Sequence, residues 1–198
     1  MGLLVEVEAI LDSTNTMFTA AELLASPLAG KHLELVAGVI HRLTPADAVH
    51  GRIVFNVMML LGRHVSDKAL GALFTEQTGF VLKRNPDTLR CPDVAFVAAR
   101  HLPPGGLRHG WMETVPDLVV EIRSPSDRSS ALSAKVREYL DVGVRSVWVI
   151  DSDARTVAIH AADAPVVERR DGETLDAGEV VQEFRCQVAA IFEGVARE

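Results

Sequence analysis

Apolar and polar positions recur along this chain with two different periods, and each change of period marks a new element. Over residues 47–65 the apolar side chains Ile53, Val54, Val57, Leu60 and Leu61 return at helical spacing and predict the longest helix. Leu132, Val136, Tyr139 and Leu140 do the same over residues 130–142, where Gly143 closes a second helix. Thr19 followed by Glu22 is a capping-box signature for a short helix reaching about Ala25, ended by Pro27 and Gly30. Between the helical stretches lie strand-like runs. Residues 33–36 and 39–43 flank Ala37-Gly38 and predict a hairpin. Residues 73–82 and 89–98 each predict one strand, joined by a turn at Asn85-Pro86-Asp87. Residues 100–115, with Pro103-Pro104-Gly105-Gly106, predict a loop. Residues 117–122 form a third run, broken by Ser124-Pro125-Ser126-Asp127. Val147-Trp148-Val149-Ile150 is apolar without alternation, as in a strand covered on both faces. Residues 156–161 follow the turn Asp151-Ser152-Asp153, and weaker strands and a short helix near 188–192 complete the chain. Strand, helix and strand over 117–150 make a βαβ-like unit. The whole predicts an α/β (α+β) fold: a mixed sheet with helices on its faces. No repeat divides it. Residues 1–17 are expected to be an N-terminal arm and 18–198 a single domain.

Composition narrows the function. The 198 residues are 48% hydrophobic and 24% charged, the balance of a folded globular domain. A net charge of −7 argues against broad, nonspecific attraction to nucleic acid. Any such contact must come from a local patch, or from a site where a metal ion offsets the acids. Cys91 and Cys186 are far apart and have neither zinc-site nor disulfide-framework spacing. Cys91 reads as a small core residue. The opening MGLLVEVEAILDS carries Glu6, Glu8 and Asp12 and lacks the basic start and long apolar run of a signal peptide. No stretch is long and apolar enough to span a bilayer, so a cytoplasmic protein without membrane contact is expected.

Three polar residues interrupt apolar runs. Asp93 lies in Cys91-Pro92-Asp93-Val94-Ala95-Phe96-Val97, and Glu121 ends Leu118-Val119-Val120-Glu121-Ile122. A carboxylate in such surroundings is costly unless it is paired or binds a metal. Neighbouring strands lie about 4.8 Å apart, so adjacent placement would let the two acids share one divalent ion. Mg²⁺ needs only one or two carboxylates and keeps several waters. Asp117 shares a strand face with Glu121, but four residues of strand span roughly 13 Å, too far for one ion. Asp117 is expected to cap the strand's entrance instead. On the second helix Lys135 lies about 60° from Leu132, at the edge of the apolar arc. From there its ammonium can reach the carboxylate end of the strands and meet an attacking water or a phosphoryl oxygen. Taken singly, each acid also reads as a solvated surface residue and Lys135 as a snorkelling side chain.

These residues sit in a longer ordered pattern. Glu34-Leu35-Val36-Ala37-Gly38, His50, Pro92-Asp93-Val94, Pro116-Asp117-Leu118-Val119-Val120-Glu121-Ile122-Arg123-Ser124-Pro125-Ser126, Lys135-x-x-x-Tyr139, Gly143-Val144 and Val147-Trp148-Val149-Ile150-Asp151 follow one another. The pattern, over residues 18–192, resembles the Uma-two family of restriction-endonuclease-like proteins within the PD-(D/E)XK nuclease superfamily. The resemblance implies a restriction-endonuclease-like mixed β-sheet flanked by helices. It implies metal-binding roles for Asp93 and Glu121, with Glu34 completing the cluster, and a site role for His50. The superfamily's usual lysine stands two residues after the glutamate. Here that position is Arg123, and Lys135 matches a lysine moved to the following helix. Val39 departs from the pattern, which often has an acid after the glycine. Read from the residues alone, His50 fits a packed core histidine as well as a site residue. Glu34 fits a surface glutamate as well, since alternation turns it away from Leu33 and Leu35. Gln77, on the preceding strand run, could bound the site.

Three readings follow. The first is a Mg²⁺-dependent endonuclease, with Mn²⁺ as possible substitute, that hydrolyses DNA phosphodiester bonds and works as a homodimer so that both strands are addressed. Asp93, Glu121, Lys135, Glu34 and His50 are its candidate catalytic residues, with Asp93, Glu121 and Glu34 as metal ligands. The second is a catalytically inactive binding or assembly module on the same fold, which the acidic balance favours. The third is a hydrolase of another phosphate ester, RNA or a nucleotide.

Overall fold

A computed structural model describes residues 17–123 and 129–197. The expected arm therefore lies, except for Met17, outside the described residues, as does the break expected at Ser124-Pro125-Ser126-Asp127. The chain opens with α1 (Ala20–Ala25), where Thr19 and Glu22 exchange side-chain and backbone hydrogen bonds as the capping box requires. The hairpin β1 (Leu33–Val36) and β2 (Val39–Arg42) follows. Ala37 and Gly38 both have positive φ, which matches the right-handed twist of the two strands. The long helix α2 (Ala48–Asp67) starts at Asp47, whose side chain accepts the His50 N–H at 2.8 Å.

Two predicted single strands are each two. The run at 73–82 splits into β3 (Gly71–Thr75) and β4 (Phe80–Lys83). A turn closed by Thr78 N–H on the Thr75 carbonyl divides them. The run at 89–98 splits into β5 (Thr88–Arg90) and β6 (Val94–Ala98). Pro92 between them has no N–H to give a ladder. The reason is common to both: the chain changes sheets at these points. One sheet has the order β2-β1-β5-β4 and is antiparallel throughout. The changeovers fall at the short polar stretches Glu76-Gln77-Thr78-Gly79 and Cys91-Pro92-Asp93, between apolar runs that do not show which sheet each will join.

After a loop come β7 (Leu118–Arg123), α3 (Ser129–Asp141), β8 (Ser146–Asp151) and β9 (Thr156–His160). Then come β10 (Val167–Arg170), β11 (Thr174–Asp176), β12 (Arg185–Gln187) and α4 (Val188–Ile191). β7 and β8 are parallel and joined through α3, the βαβ unit read from the sequence. They are central in a six-stranded mixed sheet, β10-β9-β8-β7-β6-β3. β11 and β12 form a small pair of their own.

Strand alternation distributes the core. From β6 and β7, Val94, Phe96, Leu118, Val120 and Ile122 pack on one face with Ile53, Val57, Leu61 and Val65 of α2 and with Val188 and Ile191 of α4. Ala95, Val97 and Val119 face the other way, toward Val136 and Tyr139 of α3 and Phe80 and Leu82 of β4. The four-stranded sheet is thus wedged against α3 on one face. Its other face is covered by Ala20, Leu23 and Leu28, which pack on Leu33, Leu35, Val81 and Leu89. This wedge carries the site: it brings β1, β5, β7 and α3 together at one end of the six-stranded sheet. No helix among the described residues is long and apolar enough to cross a membrane.

Candidate active site

The register of β6 on β7 pairs Val94 with Val120 and Ala95 with Val119. Continued by one residue, it sets Asp93 opposite Glu121. Asp93 Oδ2 accepts the Ile122 N–H at 2.7 Å and lies 3.1 Å from His50 Nε2. Among the described residues its second oxygen has no donor. His50 is carried there by the first turn of α2, which Asp47 caps. Burial lowers the pKa of this imidazole, but its hydrogen bond to Asp93 and the charges of Asp93, Asp47 and Glu121 more than offset that, so it gains a proton more readily than usual. The structure places His50 in the cavity wall rather than in the core.

Glu121 points with Val119 toward α3 and is 6% exposed. Tyr139 donates its hydroxyl to Oε1 at 2.7 Å. Lys135 Nζ lies 2.9 Å from Oε1 and 3.0 Å from Oε2. Burial is the main influence on this carboxyl. With repulsion from Asp93 and Glu34, it outweighs the Lys135 ammonium and pushes the pKa up to about 7. Burial disfavours charge on Lys135 too, but Glu121 and Glu34 overcome it and hold the ammonium charged beyond its ordinary range. The same Nζ is 3.2 Å from Glu34 Oε1, so one amine bridges two acids.

Glu34 is no surface residue: it is 3% exposed, on the face of β1 turned from Leu33 and Leu35. Both of its oxygens are engaged. Arg90 Nη1 reaches Oε2 at 2.8 Å, and the Cys91 N–H reaches Oε1 at 3.1 Å. Burial alone would raise its carboxyl, yet Lys135, Arg90 and the Cys91 N–H hold it below the usual carboxylate range.

A cavity of about 640 Å³ opens over these groups. Asp93, Glu121, Lys135, His50, Asp47 and Arg123 line it, while Glu34 stands one layer behind. Cys91 also lines it, so it is not simply a core residue. Burial and the nearby Glu34 push its thiol up to about 12, which keeps it neutral and unreactive. Gln77 is outside the wall, bonded to His32 on the rim at 2.8 Å. Asp117 is well away, buried at the opposite end of β7, where it accepts the Ala98 N–H at 2.8 Å.

Sequence reasoning missed Arg90 and Glu138. Arg90 also bonds Glu138 Oε2 at 2.6 Å and so links β5 to α3. Nothing in a strand-end arginine announces that. Tyr139 was read as core packing. Its spacing of four from Lys135 placed both on one helix face, and that was the available signal for a shared partner.

The donor set suits a small hard cation. Asp93 and Glu121 reach one cavity from adjacent strands, and Glu34 and Glu138 add charge behind them. Against these four carboxylates stand two permanent cations, Lys135 and Arg90. Negative charge is left over where it is most costly. Among the described residues no three Asp, Glu, His or Cys side chains are gathered tightly enough to hold an ion by themselves. The fit is therefore to an ion held by two carboxylates and waters, as Mg²⁺ prefers.

Comparison with known proteins bears on the family and the fold. A search of curated proteins gave no match. Among solved structures, the crystal structure of a "putative nuclease belonging to DUF820" from Anabaena variabilis ATCC 29413 superposes with a TM-score of 0.77. It is 18% identical, and the match covers 88% of this chain and 97% of that one, a likeness of fold. The Uma2 family model, described as "Putative restriction endonuclease", matches residues 20–189. That span is most of the chain and includes Glu34, His50, Asp93, Glu121 and Lys135, and the chain belongs to the Uma2 family.

Proposed function

We propose that this protein is a metal-dependent endonuclease that hydrolyses DNA phosphodiester bonds. One observation carries the reading: acids from two adjacent strands and an amine from the next helix converge on a single open cavity. The family's description as restriction endonucleases supports the reaction class, and with it DNA as substrate.

Asp93 and Glu121 would hold Mg²⁺, with Mn²⁺ as substitute. The ion would supply Lewis acidity toward the phosphodiester and acidify a bound water. The chain's own groups do the rest. His50, protonated at Nε2, donates to Asp93 and fixes that carboxylate. Tyr139 holds Glu121 against rotation. Lys135 presents a permanent positive charge to the phosphoryl oxygens, in a site where low dielectric strengthens it. Glu34, which stands behind the cavity wall rather than lining it, serves the site best by anchoring Lys135. Two copies related by a two-fold axis would address both DNA strands.

Purified protein incubated with supercoiled plasmid and Mg²⁺ or Mn²⁺ tests the proposal. Nicking and linearisation are expected, and Asp93→Ala and Lys135→Ala should each abolish them. Cleavage that persists in both variants rules the reading out. A second reading has its own support. Lys135 already neutralises much of the acid, which would suit an inert module that never loads an ion. Calorimetry separates the two: a module of this kind takes up neither Mg²⁺ nor Mn²⁺.

A further inference from the structure

Behind the cavity wall four charged side chains alternate in sign along a chain of three ion pairs whose two ends both lie on α3. Lys135 Nζ meets Glu34 Oε1 at 3.2 Å, and Glu34 Oε2 meets Arg90 Nη1 at 2.8 Å. Arg90 Nε meets Glu138 Oε2 at 2.6 Å. Lys135 and Glu138, the two ends, share one face of α3, three residues apart. Two of the four thus belong to α3, and two belong to the four-stranded sheet. Arg90 is well buried, with 13% of its side chain exposed, and is not among the residues that line the cavity.

A lysine on four methylenes ordinarily snorkels to solvent. Lys135 does not, because Glu34 and Glu121 hold it from two sides. Glu34 can do so only while its own position is fixed. The Cys91 N–H and Arg90 fix it, both from the end of β5. We infer that Arg90 is a positioning residue for Lys135, holding Glu34 and Glu138 so that the ammonium stays on Glu121 at the cavity floor. Without Arg90, the buried Glu34 keeps a single cationic partner and draws Lys135 away from Glu121, while Glu138 is released and α3 loses its second tie. Misplacing a reacting charge by an ångström can cost as much as 100-fold in rate.

This inference rests on Lys135 being the amine that meets the phosphate, and its test keeps the two claims apart. Wild type, Arg90→Ala, Arg90→Lys and Glu138→Gln are labelled with [ζ-¹⁵N]lysine. Lys31, Lys68 and Lys83 are exposed, so the Lys135 ammonium should give a resonance set apart from theirs. In Arg90→Ala that resonance should shift from its wild-type position as the ammonium leaves Glu121 for Glu34, while staying apart from the exposed lysines, and Arg90→Lys should restore it in part. Glu138→Gln should shift it less. In plasmid cleavage with Mg²⁺, Arg90→Ala should lower kcat roughly 10- to 100-fold and leave KM within about threefold, with partial recovery in Arg90→Lys. A purely structural role predicts a lower melting temperature with the Lys135 resonance and the kcat of folded protein unchanged, and that result overturns the inference. If Arg90→Ala does not fold, Arg90→Lys and Glu138→Gln carry the same comparison. A wild type that cuts no DNA removes the proposed function and leaves the lysine resonance to decide the role of Arg90.

Discussion

Two buried carboxylates stand four residues apart, Asp117 just before β7 and Glu121 within it, and they lead opposite lives. Asp117, at the entrance, is 2% exposed and fully answered. It takes the Ala98 N–H at 2.8 Å and His101 Nδ1 at 3.0 Å, with Arg100 at 3.4 Å and Arg145 at 3.8 Å. Cations outnumber the acid there, and the group ties β6 and β7 together. Glu121, at the exit, is almost as buried but shares one ammonium with Glu34 and has Asp93 opposite it. Acids outnumber cations, and a cavity opens above. Burial alone does not mark a functional carboxylate. What marks it is a charge left unbalanced beside open space.

The contrast can be broken from either end. The largest effect is expected at the exit. Glu121→Gln should abolish both Mn²⁺ uptake and plasmid cleavage while the protein stays folded, as read by calorimetry and circular dichroism. Next comes stability against pH, because burial raises the Glu121 carboxyl from 4.5 to about 7. A carboxyl raised on folding holds its proton more tightly in the folded chain. Its stability contribution is therefore full below about pH 4.5 and is lost as pH climbs through about 7. Relative to Glu121→Gln, wild type should lose up to about 3 kcal/mol across that window in urea titrations. At the entrance, Asp117→Ala should cost about 2 kcal/mol by leaving the buried Ala98 N–H unsatisfied, with Mn²⁺ affinity unchanged. A loss of Mn²⁺ affinity there would mean the two ends of β7 are not independent. The smallest effect is expected from His50→Gln, which keeps a donor toward Asp93 but no charge: about a tenfold drop in cleavage rate or metal affinity.

Much of this was legible from the residues. Helical spacing located α2 and α3, and the capping box at Thr19 and Glu22 located where α1 begins. Ala37-Gly38 fixed the hairpin. Asp93 and Glu121 stood out because each interrupts an apolar run, and the helical angle of Lys135 put its amine on the correct side. The changes of sheet at Glu76–Gly79 and Cys91–Asp93 were not legible, because an apolar run does not show which sheet it will join. Glu34 was ambiguous for a related reason. Alternation told which way it pointed but not that a second layer, α3, would be there to cover it. The Arg90–Glu138 pair joins residues 48 positions apart, a tertiary contact that no local pattern encodes.

A single cation seated between Asp93 and Glu121 is what the proposed function requires. Titration of the purified protein with Mn²⁺ at pH 8, followed by calorimetry and by the electron paramagnetic resonance of free Mn²⁺, measures that directly. One ion per chain is expected in wild type, with binding lost in Asp93→Ala and in Glu121→Gln. Wild type that leaves all Mn²⁺ free, or binding undiminished in both variants, would contradict it.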